Sequence, residues 1–106
     1  MAKQLSVAAL AVLHAVASGT HHGFDIIDLT DLPGGTVYPA LSRLERDGFV
    51  SSTWEPVAVA RAEGRPPRRY YTVTPIGLET LNEALAKLHA LRPIRTPRLS
   101  PARSKS

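Results

Sequence analysis

A chain of 106 residues, 43% hydrophobic and 21% charged, has the composition of one folded soluble domain and leaves little material for a second core or a self-sufficient catalytic cleft. Cysteine is absent, which excludes a disulfide framework, a thiolate nucleophile and a cysteine zinc site. The formal net charge of +4 is unevenly spread: residues 1 to 60 carry three basic against six acidic side chains, a balance of −3, and residues 61 to 106 carry ten against three, a balance of +7.

A positive second half attracts a polyanion, most commonly nucleic acid, although a basic solubilising tail gives the same total. The apolar run AALAVLHAVA near the start is too short and alanine-rich to span a bilayer, and Lys3 alone makes a weak signal-peptide n-region. A cytoplasmic protein with no membrane partner is expected.

Residues 4 to 17, QLSVAALAVLHAVA, put Leu5, Ala8, Ala9, Val12, Leu13 and Val16 on one helical stripe, with Gly19 as the stop. THHGFDIIDLTDL predicts a short second helix with Phe24, Ile27 and Ile26 turned inward, broken by Asp-Leu-Pro-Gly-Gly at 31 to 35. In TVYPALSRLERDG, Thr36 can cap a third helix over 36 to 47, Val37, Leu41 and Leu44 repeat at helical spacing, and Gly48 stands at a left-handed C-cap. With Thr36 as N-cap, Pro39 falls in the first turn, where it has no intrahelical hydrogen bond to lose.

FVSSTWEPVAVA then supplies strand formers, with Val50, Ser52 and Trp54 alternating on one side and Pro56 marking an edge or irregularity. YYTVT is the partner strand, and RAEGRPPRR is the turn-rich, basic tip that joins them. A lone hairpin is marginal in water, so its apolar face must lie on the helices. Thr74 caps a fourth helix, 75 to 92, with Pro75 at its first position. Leu78, Leu81, Leu85 and Leu88 form a short a/d seam along it. PIRTPRLSPARSKS has no apolar periodicity and reads as a basic disordered tail.

The fold class expected is mainly α with a small antiparallel β-hairpin: a winged helix-turn-helix over 1–74, a C-terminal dimerisation helix over 75–92 and a tail over 93–106. In such modules the second helix of the motif enters the major groove of double-stranded DNA. With Val37, Leu41 and Leu44 buried, Thr36, Tyr38, Ser42, Arg43 and Arg46 face outward. Arginine suits a guanine edge or a phosphate, serine and threonine suit either, and tyrosine commonly binds phosphate. Arg65, Arg68 and Arg69 are the wing candidates for phosphate or the minor groove. Tyr70 and Tyr71 must point to opposite faces of a regular strand, one of them to the core.

Plainer readings stand beside these. Arg43 also suits a surface pair with Asp47, worth about 0.2–0.5 kcal/mol. The wing arginines also suit an edge kept soluble. The leucine seam could pack only on its own domain, but an exposed leucine stripe is unusual for a monomer, and pairing two copies covers it. His21 and His22 with Asp25 fit the turn into the second helix better than a metal site, and His14 and His89 have no predictable proximity to them. Gly34 and Gly35 precede no lysine-serine or lysine-threonine motif, and no nucleophile and base pair up, so an enzyme, a cofactor and a metal are all unsupported. A winged-helix module that binds protein rather than specific DNA is the alternative function, kept open by Asp25, Asp28 and Asp31 on the second helix.

GTVYPALSRLERDGFV at 35 to 50, preceded by HGFDI at 22 to 26 and followed by GRPPRRYYTVTPIG at 64 to 77, resembles the PadR family of winged-helix transcriptional regulators. The resemblance spans residues 5 to 92. It implies a dimeric DNA-binding protein, usually a repressor, on an inverted repeat near a promoter. It leaves a small-molecule effector open and unassigned. It also implies that Tyr38, Pro39, Arg43 and Glu45 lie in the recognition helix, that Arg69, Tyr70 and Tyr71 enter the second wing strand, and that Gly23 and Phe24 start the second helix. The brief IDLTDLPG segment, where many relatives have a longer helix and turn, implies that the second helix is short or set at a different angle, and the single C-terminal helix implies the family's short form.

Overall fold

The computed structural model describes residues 5–91, 93 and 94. In chain order the elements are α1 (Val7–Ala17), α2 (Gly23–Thr30), α3 (Gly34–Arg46), β1 (Val50–Trp54), α4 (Val57–Ala62), β2 (Arg69–Val73) and α5 (Pro75–Ala90). Three helices, a two-stranded antiparallel wing and a further helix make a winged helix-turn-helix. The expected basic tail from residue 95 onward lies outside the described residues. Among the described residues no helix is long and apolar enough to cross a membrane.

Ser6 starts α1 by accepting a hydrogen bond from the Ala9 amide at 3.1 Å, so the helix begins at Val7 and not at residue 4. Ala9, Val12, Leu13, Ala15 and Val16 form its buried stripe. Gly19 has φ 103°, which lets its own amide and that of Thr20 return to Val16 and Ala15 in a Schellman closure. Asp31, also left-handed at φ 59°, ends α2. Ile26 is buried and Ile27 half-buried, but Phe24, expected inward, is 71% exposed. A helix of eight residues buries one face, and in α2 Gly23 and Ile26 occupy it.

Pro33, not Thr36, is the N-cap of α3. Its carbonyl accepts from the Thr36 and Val37 amides at 2.9 and 3.0 Å, which places Thr36 inside the first turn and Pro39 in the second. Pro39 therefore withholds a bond from the Gly35 carbonyl. Gly35 is exposed with open space around it, so water can replace the missing donor. Val37, Leu41 and Leu44 are wholly buried. At the far end Gly48 (φ 83°) completes a second Schellman closure, with Phe49 donating to Leu44 at 2.9 Å and Gly48 to Glu45 at 3.0 Å.

β1 and β2 pair with Val50 opposite Val73, Ser52 opposite Tyr71 and Trp54 opposite Arg69. Tyr71 is the core tyrosine; its amide donates to the His21 carbonyl at 2.7 Å, and His21 Nδ1 donates to the Tyr71 carbonyl at 2.9 Å. The turn into α2 is thereby stitched to the outer edge of β2.

The connection between the strands differs from a plain basic tip because it holds α4. Pro56 caps this helix, its carbonyl accepting from Val59 and Ala60 at 3.1 and 3.3 Å. The VAVA run is helical, not extended, since a short apolar run does not itself distinguish the two.

Thr74 caps α5 as expected, accepting from the Gly77 amide at 3.0 Å while donating to the Gly48 carbonyl at 2.7 Å. The added wing helix makes α5 the fifth helix. The core draws on α1, α2, α3, β1, Tyr71 and Leu81. Gly77 touches the Phe49 backbone so closely that an added Cβ would collide with the Phe49 carbonyl. Gly77→Ala should therefore cost about 1–3 kcal/mol in urea denaturation, as overpacking against backbone does.

Candidate nucleic-acid interface

The strip that buries Val37, Leu41 and Leu44 turns the opposite face of α3 outward. Tyr38, Ser42, Arg43 and Arg46 are exposed there and Thr36 is half-exposed, so the five residues expected on this helix share one face. Tyr38 lies against Gly23, where a Cβ would come within 2.5 Å of its ring and hydroxyl; the absent side chain at the start of α2 makes room for it. Arg46 Nε is 4.0 Å from Asp47 Oδ1, the outer limit of an ion pair. Arg43 is exposed.

At the border between α3 and the wing, Glu45 accepts a hydrogen bond from Ser52 Oγ at 2.6 Å and pairs with Arg69 at 3.4 Å. Arg69 Nε donates to Ser52 Oγ at 2.9 Å, and its guanidinium lies 5.3 Å from the centre of the Trp54 ring. Arg69 thus bridges both wing strands to α3 and is not a free cation.

Arg65, expected on the DNA side, turns inward instead. It donates from both terminal nitrogens to the two oxygens of Glu55, at 2.6 and 2.8 Å, and it pairs with Glu63 at 3.1 Å. Glu55, 5% exposed, also accepts from the Arg68 amide at 3.1 Å and from the Tyr70 hydroxyl at 3.2 Å. Tyr70 in turn stands edge-on to His22, with ring centres 5.9 Å apart. Glu55 is the important residue that the sequence reading overlooks. The available signal was an acid between a strand and a proline, with arginines ten and thirteen positions ahead of it.

The leucines of α5 divide. Leu81, 2% exposed, belongs to the core of its own chain and is corrected from the expected seam. Leu78, Leu85 and Leu88 remain exposed, joined by Ile76 and Leu91. His22 Nε2 is 2.9 Å from Asp25 Oδ2. Among the described residues no three His, Asp or Glu side chains converge on a metal position.

The hydrogen bonds from Arg65, with those from the Arg68 amide and Tyr70 and the charge of Arg65, outweigh burial and bring the Glu55 carboxyl from an ordinary 4.5 down to about 2. A carboxyl with a lower pKa folded than unfolded contributes stability fully above the unfolded value and loses it as pH falls through the folded one. The thermal midpoint of the protein should therefore exceed that of Glu55→Gln above pH 4.5, and the gap should close between pH 4.5 and 2. Melting both proteins across that range checks this.

Known proteins share this architecture. The family model described as the Transcriptional regulator PadR-like family matches residues 12–83. A PadR-like transcription factor from Bacteroides fragilis is 28% identical with a TM-score of 0.66, over 77% of this chain and 80% of that one. A PadR family regulator from Eggerthella lenta is 30% identical with a TM-score of 0.63, over 77% and 71%. Bacillus subtilis PadR, solved in complex with operator DNA, is 21% identical with a TM-score of 0.67, over 87% of this chain and 52% of that one, a likeness of fold. No curated protein matches the chain. Family model and fold agree: the chain belongs to the PadR-like family of DNA-binding transcriptional regulators.

Proposed function

We propose that this regulator is a sequence-specific repressor that binds an inverted-repeat operator as a homodimer and acts by occupying it. The observation that carries the reading is the outward face of α3, polar and basic from Thr36 to Arg46 and opposite a completely buried apolar strip. An α-helix fits the major groove, where Arg43 would read a guanine edge and Ser42 and Arg46 would meet bases or phosphates. Thr36 and Tyr38, near the start of the helix, would hold the backbone. The wing supplies affinity through Arg68, with Arg69 shared between phosphate and Glu45.

The exposed Leu78, Leu85 and Leu88 of α5 support a twofold pair in which residues 75–92 set the spacing of two copies of the 1–74 module. Half-sites would then lie about one helical turn, 34–36 Å, or a multiple apart. That the Bacillus subtilis relative was solved with operator DNA supports an operator as the ligand.

A second reading, a winged-helix module that binds protein, is favoured by α2. Phe24 and Leu29 are exposed beside Asp25 and Asp28, a face unsuited to phosphate. Selection of bound fragments from a random DNA pool separates the two, since enrichment of no sequence at low salt would leave the protein-binding reading.

On the selected site, Arg43→Ala should cost about 1–3 kcal/mol while changing random-DNA binding little. Equal losses on both would remove its base-reading role. Arg68→Ala should weaken both and lower the slope of log K against log salt by about 1. The double variant Leu85→Asp, Leu88→Asp should sediment as a monomer and lose operator affinity, whereas the unaltered protein sediments as a dimer.

A further inference from the structure

The wing holds a charge where a hairpin needs none. Glu55 is buried, and its carboxylate is filled by the fork of Arg65, the Arg68 amide and the Tyr70 hydroxyl. Against well-packed apolar groups a buried ion pair gains little stability, because desolvation offsets attraction. Its distinctive contribution is geometry.

That geometry concerns α4. A helix of six residues is too short to persist alone, and of its own side chains only Ala60 is buried. Val57, Val59 and Arg61 are exposed. Glu55 stands two residues before the helix and Arg65 three residues after it. Gly64, at φ 68°, closes the helix so that the Arg65 amide reaches the Ala60 carbonyl at 3.2 Å. The Arg65 side chain then returns to Glu55, and the start and end of α4 are fastened to one carboxylate.

We infer that Glu55 and Arg65 are positioning residues for DNA binding: their ion pair holds α4 and the Arg68 backbone in place, so that Arg61 and Arg68, and not Arg65, present the wing's charge to phosphate. This rests on the DNA-binding reading above. It gives Arg65 a task opposite to the one its charge suggests, since it neutralises an acid within the wing.

Two substitutions separate positioning from contact. Glu55→Gln keeps the side-chain shape, removes a buried negative charge from the wing and leaves Arg65 with Glu63 as its remaining ion-pair partner. If charge alone counted, operator binding would tighten; the positioning role requires it to weaken about tenfold, and Arg68→Ala to cost less in this background than in the unaltered protein. Arg65→Lys keeps the charge but loses the fork. A phosphate contact would survive that exchange, whereas the clamp would loosen and binding would weaken in the same direction.

Hydrogen exchange on the free proteins gives a readout independent of DNA: the hydrogen-bonded amides of residues 59–62 should lose protection about tenfold or more in both variants, with those of α3 unchanged. Unchanged or tighter operator binding, or unchanged protection of α4, would overturn the inference. If the unaltered protein enriched no DNA sequence, the regulator reading would fail by itself, and the exchange result would still decide the clamp.

Discussion

Complete burial of Val37, Leu41 and Leu44 is the constraint from which the rest of the molecule takes its orientation. Burying a side chain of this size is worth about 1.5–3 kcal/mol, and the three lie on one strip of a thirteen-residue helix. Rolling α3 would expose all three together, so its outward residues have no freedom to turn away. α1 supplies the opposing surface through Val12, Leu13 and Val16. Because α3 cannot rotate, the chain leaving it at Gly48 starts β1 in a fixed direction, and the wing inherits that direction.

Two of the acid–arginine pairs in and beside the wing look alike in sequence and differ in consequence. Glu45 and Arg69 sit partly in solvent, where such a pair contributes about 0–1 kcal/mol. Its worth lies in joining three elements, since Arg69 also touches Ser52 and Trp54. Glu55 and Arg65 are largely withdrawn from water. Breaking that pair from one side strands a buried charge, which is costly however little the intact pair adds. Exposure, more than distance, decides which pair the fold can do without.

Features written in adjacent residues were legible in the sequence. The spacing of Val37, Leu41 and Leu44, the glycine at 48 and the Thr74–Pro75 start of α5 each carry their own local physics, and each reappears in the structure. The face of α3 followed from the same spacing. What escaped depends on residues far apart. VAVA reads equally as strand or helix until Glu55 is drawn inward and Arg65 closes the far end. Arg65 and Arg68 carry the same charge, and nothing local says that one turns in. Leu81 matches Leu78 and Leu85 in the seam, yet α5 packs against α1 and, of the four seam leucines, Leu81 alone is buried. Phe24 was expected inward with Ile27 and Ile26, although the turn of α2 presents Gly23 and Ile26 instead.

The junction at residues 74–77 has a further implication for how such a protein can be retuned. Thr74 bonds to Gly48, its amide to Phe49, and Gly77 leaves no room for even a methyl group beside the Phe49 carbonyl. The angle at which α5 departs from the reading head is locked at its root. If two copies pair through α5, the separation between them must be adjusted at its distal end, where Leu85, Leu88 and Leu91 stand in solvent. Such a pair would resemble calipers whose hinges are welded and whose handles remain open to redesign.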